Sequence, residues 1–333
     1  MSVLTLATII ILVALLFDFV NGFHDSANST ATIVATRVLS PVTAVIWAAI
    51  FNFFAALLLG TGVASTVGNG FVDIDTVTPY VILAGLIGAI LWDVFTWYLA
   101  LPTSSSHALI GGYAGAAVAK AGWHGLIAGK WALTLAFIVL SPMIGLALAY
   151  VLMIAVYRIF GHSTPAEMDK RFRHYQLGSA ALLSCAHGSN DAQKTMGIIT
   201  AVLVAAHLQT DFHVHDWVIL ASSAAIGLGT LSGGWRVVRT MGTRLTRLKP
   251  RTGFCAETGA AISILFATWL GLPVSSTHAI AGAVAGVGSI QRTRAVRWTV
   301  ASNIVVAWIL TIPAAAVVAM LAFLIIRWFV PNA

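Results

Sequence analysis

Charge is what this sequence lacks. Of 333 residues only 9% are Asp, Glu, Lys or Arg, while 59% are hydrophobic; soluble domains carry about a quarter charged residues. Mean hydropathy is +0.92. A water-soluble globule is excluded, because apolar runs near or above the ~20 residues that span a bilayer recur from end to end, and no stretch is left for a separate soluble domain. Acidic residues are scarcer than basic ones, 11 against 18, for a net charge of +7. That excess sits in short loops, the pattern that orients membrane spans, so it does not point to nucleic-acid binding. Cysteine is nearly absent: Cys185 and Cys255 lie in or beside apolar runs, which excludes a disulfide framework and a thiolate metal site. The first apolar run has no basic stretch before it and continues into polar residues, so it reads as a retained span and not a cleaved signal.

What is present is a duplication. Leu101–Gly115 (LPTSSSHALIGGYAG) and Leu272–Gly286 (LPVSSTHAIAGAVAG) match at nine of fifteen positions with a lag of 171 residues. Proline is tolerated in a first helical turn, and Ser or Thr before a helix caps its free N–H groups, so each copy should present a helix N-terminus. Backbone N–H groups, hydroxyls and the positive dipole end make an anion site. Two copies face to face would cradle one tetrahedral oxyanion with Thr103, Ser104, Ser105 and Ser106 on one side and Ser275, Ser276 and Thr277 on the other. The plainer reading is that these hydroxyls bond back to carbonyls one turn earlier and let helices pack closely.

A second pair precedes the first in each half. Gly22-Phe23-His24-Asp25-Ser26-Ala27-Asn28 corresponds to Gly188-Ser189-Asn190-Asp191-Ala192-Gln193-Lys194 at a lag of 166. Each copy puts a carboxylate inside an apolar span just after a glycine expected to break the helix. A charge there costs ~2.5–3.5 kcal/mol or more and is a functional hypothesis by default, although an Asp can also simply cap a half-helix. A carboxylate and an oxyanion repel in low dielectric, so a positive species must stand between them. His24, Asp25, Asn28, Asn190, Asp191 and Glu257 are the candidates to hold a coupling cation or carry a proton, which makes anion binding cation-coupled. Lys194 can pair with Asp191 one turn away or lend its charge to the anion site. Asp18 and Asp93 are secondary acidic candidates. His107, His187 and His278 share the broken segments with His24, and such histidines are more often hydrogen-bonded core residues than proton relays. His207, His213 and His215 read as a solvated loop. No cofactor or metal centre is expected.

The pattern predicts an all-α polytopic membrane protein of two inverted repeats, each with a broken first helix and a re-entrant hairpin. Residues 1–160 form the first repeat, 161–177 a hydrophilic linker and 178–333 the second repeat. The loops holding Arg37, residues 158–173, 236–251 and 292–297 carry 14 of the 18 basic residues, which makes this set, the linker included, cytoplasmic. The loops at 64–79 (with Asp73 and Asp75), 120–130 and 207–216 then lie outside, as do both termini. Such an arrangement exposes one midplane site alternately to each face, and broken helices at that depth are tolerated where they line a cavity. The sequence leaves a monomer and a homo-oligomer both open.

At these residues the chain resembles the inorganic phosphate transporter (Pit) family, most closely its low-affinity bacterial branch. The shared stretches are NGFHDSANSTATIVATR at 21–37, LPTSSSHALIGG at 101–112, AHGSNDAQKTMG at 186–197 and AETGAAISILFATWLGLPVSSTHAIAGA at 256–283. The resemblance implies symport of inorganic phosphate across the cell (plasma or inner) membrane, coupled to H+ or Na+. It places the family's Asn-Asp signature on His24-Asp25 and Asn190-Asp191, its following Asn on Asn28, and its hairpin hydroxyls on Thr103–Ser106 and Ser275–Thr277. Lys194 stands where sodium-type members have Asn, and His24 also replaces an Asn; both departures, with the bacterial branch, favour the proton. In that branch the cargo can be a neutral divalent metal–phosphate complex. Sulfate is the alternative cargo, since relatives carry it. An intramembrane hydrolase using Ser104 or Ser105 with His107 is the remote alternative, with no Gly-x-Ser-x-Gly elbow in its favour.

Overall fold

A computed structural model describes residues 2–58, 60–73, 76–244, 246–291 and 296–331; Asp75, Arg292 and Arg294 fall outside the described residues. Thirteen α-helices are described: α1 Val3–His24, α2 Ser26–Ala35, α3 Pro41–Leu58, α4 Gly62–Gly70, α5 Pro79–Tyr98, α6 Ser105–Ala121, α7 Ala128–Ile159, α8 Pro165–Ala205, α9 Asp216–Ser232, α10 Trp235–Arg239, α11 Pro250–Trp269, α12 Ser276–Gln291 and α13 Trp298–Phe329. Their starts follow local rules. Thr78 accepts the N–H of Val81 ahead of Pro79, and Thr164 and Glu167 form a reciprocal capping box around Pro165; proline at the first helical position loses no intrahelical bond. Among the described residues four runs are long and apolar enough to cross a membrane: Val3–Ala35 taken through its break, Pro79–Tyr98, Ala128–Ile159 and Trp298–Phe329. A fifth arises if Asp216–Ser232 and Trp235–Gly242, bent by 62°, count as one span. The protein is a multi-pass membrane protein.

Helices of one half are paired with those of the other. α1 packs on α9 while α3 packs on α8; the α5–α6 hairpin packs on α13 while the α11–α12 hairpin packs on α7. Glycine sets the closeness of the last two pairs. A Cβ on Gly111 of α6 would sit 2.6 Å from Ile312 O, and one on Gly282 of α12 would sit 2.8 Å from the carbonyl carbon of Pro142. Only glycine at these positions lets the helix backbones meet. Gly111 and Gly282 are 171 residues apart and Pro142 and Ile312 are 170 apart, so the exchange of partners follows the sequence duplication.

The loops also fall into two groups by contact. Arg173 donates to Arg37 O at 2.8 Å, and Arg251 pairs with Asp169 at 2.7 Å, which joins three of the basic segments. At other places Asp73 N donates to Gly125 O at 2.9 Å and Ile127 N to Phe71 O at 3.2 Å, joining the loops before α5 and α7. Next to them, a cavity of about 590 Å³ is lined by Gly68, Val72, His207 and Gln209.

One expectation is corrected. The second polar motif does not break its helix: α8 runs unbroken through Gly188 and Asp191. Gly188 serves close packing, since a Cβ there would lie 2.5 Å from the Asn52 backbone of α3. In the first half the expected break is present and falls at Asp25, between α1 and α2. The hydrophilic stretch 161–177 enters α8 at Pro165, nucleated by the capping box, after a short turn from α7.

Candidate functional site

The two hydroxyl-rich tips sit where the sequence pattern puts them, each between the arms of a helical hairpin. Ser104 caps α6 by accepting the His107 N–H at 3.3 Å, and Ser275 caps α12 by accepting that of His278 at 3.2 Å. The caps leave the next residues to face the middle of the protein. Thr103 through Ser106 and Ser275 through Thr277 are all buried, none more than 3% exposed.

Each tip is bound to the polar motif of the other half. Asn28 Nδ2 donates to Ser276 Oγ at 3.1 Å and to Thr277 Oγ1 at 2.9 Å. At the corresponding place in the second half the Lys194 ammonium donates to Ser106 Oγ, to Val274 O at 3.0 Å and to Asp191 Oδ1. Asp191 Oδ2 accepts from Ser276 Oγ at 3.1 Å and lies 2.9 Å from His187 Nδ1. Asp25 Oδ2 accepts from Thr277 at 3.4 Å, and Asp25 Oδ1 lies 2.7 Å from His24 Nδ1. The residue before each Asp holds its own hairpin: His24 Nε2 lies 3.2 Å from Thr96 Oγ1 and 3.3 Å from Thr103 Oγ1, while Asn190 donates to Thr268 Oγ1 at 2.8 Å and Leu272 O at 3.2 Å and accepts the Val274 N–H at 3.3 Å. Asp25, Asp191, Lys194, six hydroxyls and two amides thus converge in one buried cluster, where low dielectric strengthens each charge-assisted bond.

Glu257 is not in that cluster. Its carboxylate accepts from Thr32 at 2.6 Å, Gln176 at 2.7 Å and Ser179 at 2.5 Å, tying α2 and α8 to α11. Ser105 Oγ has no hydrogen-bond partner, and the same holds for Asn28 Oδ1. His107 and His278 pack ring against ring at 4.5 Å, with His278 stacked on Trp308 at 3.7 Å. Sequence reasoning missed Thr96 and Thr268. Their signal was a threonine five and four residues before each Leu-Pro. The hydrolase arrangement is absent: Ser104 is occupied as a cap by the His107 backbone, and Ser105 is bonded to nothing, so neither hydroxyl meets the His107 ring.

Residues 21–319 match the model of the phosphate transporter family. The chain belongs to the phosphate transporter family. Among its relatives, the probable low-affinity inorganic phosphate transporter of Rhizobium meliloti (strain 1021) is 54% identical over 315 residues, 94% of each chain. That of Bacillus subtilis (strain 168) is 44% identical over 332 residues, covering 98% of this chain and 99% of the relative. A solved structure, the sodium-dependent phosphate transporter, superposes with a TM-score of 0.87 over 97% of this chain and 99% of its own at 23% identity, which shows a common fold. The transporter is therefore read as a carrier of phosphate and not as an enzyme, and the buried cluster between the tips is its candidate binding site.

Proposed function

We propose that this transporter is a proton-coupled symporter of inorganic phosphate, working by alternating access at a midplane site between two inverted repeats. The observation that carries this reading is the crossed latch: Asn28 of the first half holds the second tip, and Lys194 of the second half holds the first tip. Phosphate takes the positive dipole ends of α6 and α12, the hydroxyls of Thr103–Ser106 and Ser275–Thr277, and the Lys194 ammonium. Asp25 and Asp191, with His24, Asn28 and Asn190 around them, form the coupling site. Glu257 belongs to the same coupling system at a distance, through the α2–α8–α11 network. Because Lys194 is the one Lys or Arg in this cluster among the described residues and is already paired with Asp191, the cluster repels a dianion unless a positive species travels with it.

The proton is favoured over sodium by the occupancy of the carboxylates. Both oxygens of Asp191 are engaged by Lys194, His187 and Ser276, and both of Asp25 by His24 and Thr277. A bare sodium ion would have to displace nitrogen donors, whereas protonation of His24, His187 or a carboxylate changes the same bonds in place. The sodium-dependent structural relative makes sodium the competing ion. The cargo is orthophosphate, either free or as a neutral divalent metal complex, which uptake with and without Mg2+ separates.

The basic loop group is the cytoplasmic one by the positive-inside rule, and this puts the linker inside and both termini outside. The tips rest on short helices that correspond between halves: Arg236 of α10 donates to Tyr98 O at 2.9 Å and Thr240, just after α10, to Ala100 O at 3.2 Å, while Gly271 lies against Gly62 at the start of α4. α10 is then the inner stop of the first tip and α4 the outer stop of the second. Phosphate–phosphate exchange in proteoliposomes tests the site. Ser106→Ala and Thr277→Val each remove a hydroxyl worth ~1.5 kcal/mol against an anion, so the apparent KM rises about tenfold. An unchanged KM in both would move the site away from the tips.

A further inference from the structure

Two carboxylates of the membrane interior, Asp18 and Asp93, take no part in the cluster and have no hydrogen-bond partner on either oxygen. Asp18 is the more isolated. It is fully buried in α1 and makes no ion pair within 4.0 Å among the described residues. Beside it are Asn21, one turn along α1, and Thr195 of α8. Asn21 Oδ1 and Thr195 Oγ1 are themselves buried and without partners, so four polar oxygens meet here with no cation among them. The helices packed on α1 offer little compensation. α8 brings Asp191 and Lys194, already paired with one another; α5 brings the acidic Asp93; and α9 carries only Asp216, at its N-terminal end.

An ionised carboxylate is costly in such a place, because its desolvation is not offset by an ion pair. A proton removes the charge and turns one of the orphaned acceptors into a donor for its neighbours, which answers two deficits at once. The position has a direction as well. Asp18, Asn21, Asp25, Asn28 and Thr32 recur at intervals of three and four and so share one face of α1 and α2. At 1.5 Å per residue Asp18 lies about 10 Å from Asp25 along that face. At the other end Thr32 donates to Glu257. The repeat does not require this carboxyl: the residue 166 positions on is Ser184, whose hydroxyl bonds to Ala180 O.

We propose that Asp18 is a proton-carrying site of this transporter, loaded from the aqueous phase on the N-terminal side of α1 and passing its proton along the α1–α2 face to the Asp25 cluster. The proposal deepens the proton-coupling reading and rests on it for the direction of transfer. The proton on Asp18 is replaced from the N-terminal side as the one at Asp25 leaves with phosphate on the other, so no further reactant is needed.

The test uses the full chain in lipid. Infrared spectra at neutral pH without phosphate should contain a buried protonated-carboxyl C=O band that Asp18→Asn removes and Asp18→Glu keeps, shifted. In proteoliposomes Asp18→Asn should lose proton-driven phosphate uptake by about tenfold or more while phosphate–phosphate exchange, which needs no net proton movement, stays within about twofold. Survival of the band in Asp18→Asn, its absence from the wild type, or proton-driven uptake within about twofold of wild type would each overturn the proposal. Loss of both exchange and uptake in Asp18→Asn, with neither restored in Asp18→Glu, would make Asp18 a scaffold residue and also overturn it. The band is read without transport, so a wild type that shows it yet ignores a proton gradient fails the coupling reading separately.

Discussion

Lys194 is the residue whose removal the structure prices most directly. Its side chain is 1% exposed and its ammonium donates to Asp191, Ser106 and Val274 O. Lys194→Met keeps the length and the burial but leaves Asp191 without its lysine and removes one of the bonds between the first tip and the second half, where Ser106 still donates to Val274 O at 3.2 Å and Trp308 to Pro102 O at 3.0 Å. Breaking one side of a buried ion pair costs about 3–5 kcal/mol. Asp191 keeps His187 at 2.9 Å and Ser276 at 3.1 Å, which puts the expected loss near the lower end, about 3 kcal/mol. Against a total stability of about 5–15 kcal/mol that is a large fraction. Thermal unfolding in detergent, followed by intrinsic fluorescence, should therefore show a clear fall in Tm. The double variant Lys194→Met/Asp191→Asn removes both charges and should recover most of the fall, with a coupling energy of about 2 kcal/mol or more. Both variants should be inactive in transport. If the single variant melts like the wild type, or the two substitutions add within about 0.5 kcal/mol, the pair does not hold the tips and the crossed latch is not the organising contact.

Other expectations follow from single positions. Gly188→Ala drives a Cβ to 2.5 Å from the Asn52 backbone and should destabilise by about 1–3 kcal/mol, whereas Gly178→Ala, with nothing within 4 Å at an exposed site of the same helix, should stabilise by about 0.5–1 kcal/mol; paired melting curves separate the two. The Glu167 carboxylate, held below its ordinary range by the Thr164 backbone N–H, stabilises the start of α8 above its unfolded pKa and loses that contribution as pH falls through its folded pKa; amide exchange at residues 165–168 should accelerate on acidification and be pH-indifferent there in Glu167→Gln. For topology, Asp211→Cys and Lys249→Cys, each in a background with Cys185→Ala, should react with an impermeant maleimide from opposite faces of oriented vesicles; reaction from one face would overturn the inverted arrangement.

How far the sequence reaches can be seen at particular residues. The Leu-Pro-hydroxyl-His repeats placed both tips and both caps, because proline and hydroxyl capping are local rules that tertiary contacts do not override here. The same local logic failed at Gly188. A glycine before an Asp in a span looks like a breaker, yet α8 continues, since its backbone hydrogen bonds stay intact and the missing Cβ is used to admit Asn52 of α3. Only the partner helix shows which use applies. The pairing of Asn28 with the second tip and Lys194 with the first was likewise out of reach, because lag arithmetic gives equivalence between halves but not which half each side chain meets. Glu257 joined the coupling candidates on burial and charge alone; its three donors, Thr32, Gln176 and Ser179, come from two other helices and have no spacing signal.

The central claim is tested most directly by uptake of labelled phosphate into proteoliposomes. The drive is an inward proton gradient and then an inward sodium gradient, with excess sulfate as competitor and Asp25→Asn as control. Saturable, sulfate-resistant uptake that follows the proton gradient and vanishes in Asp25→Asn is the predicted result. Uptake that follows sodium alone, or that ignores both gradients and survives in Asp25→Asn, would contradict the account, and suppression by sulfate would move the cargo to that anion.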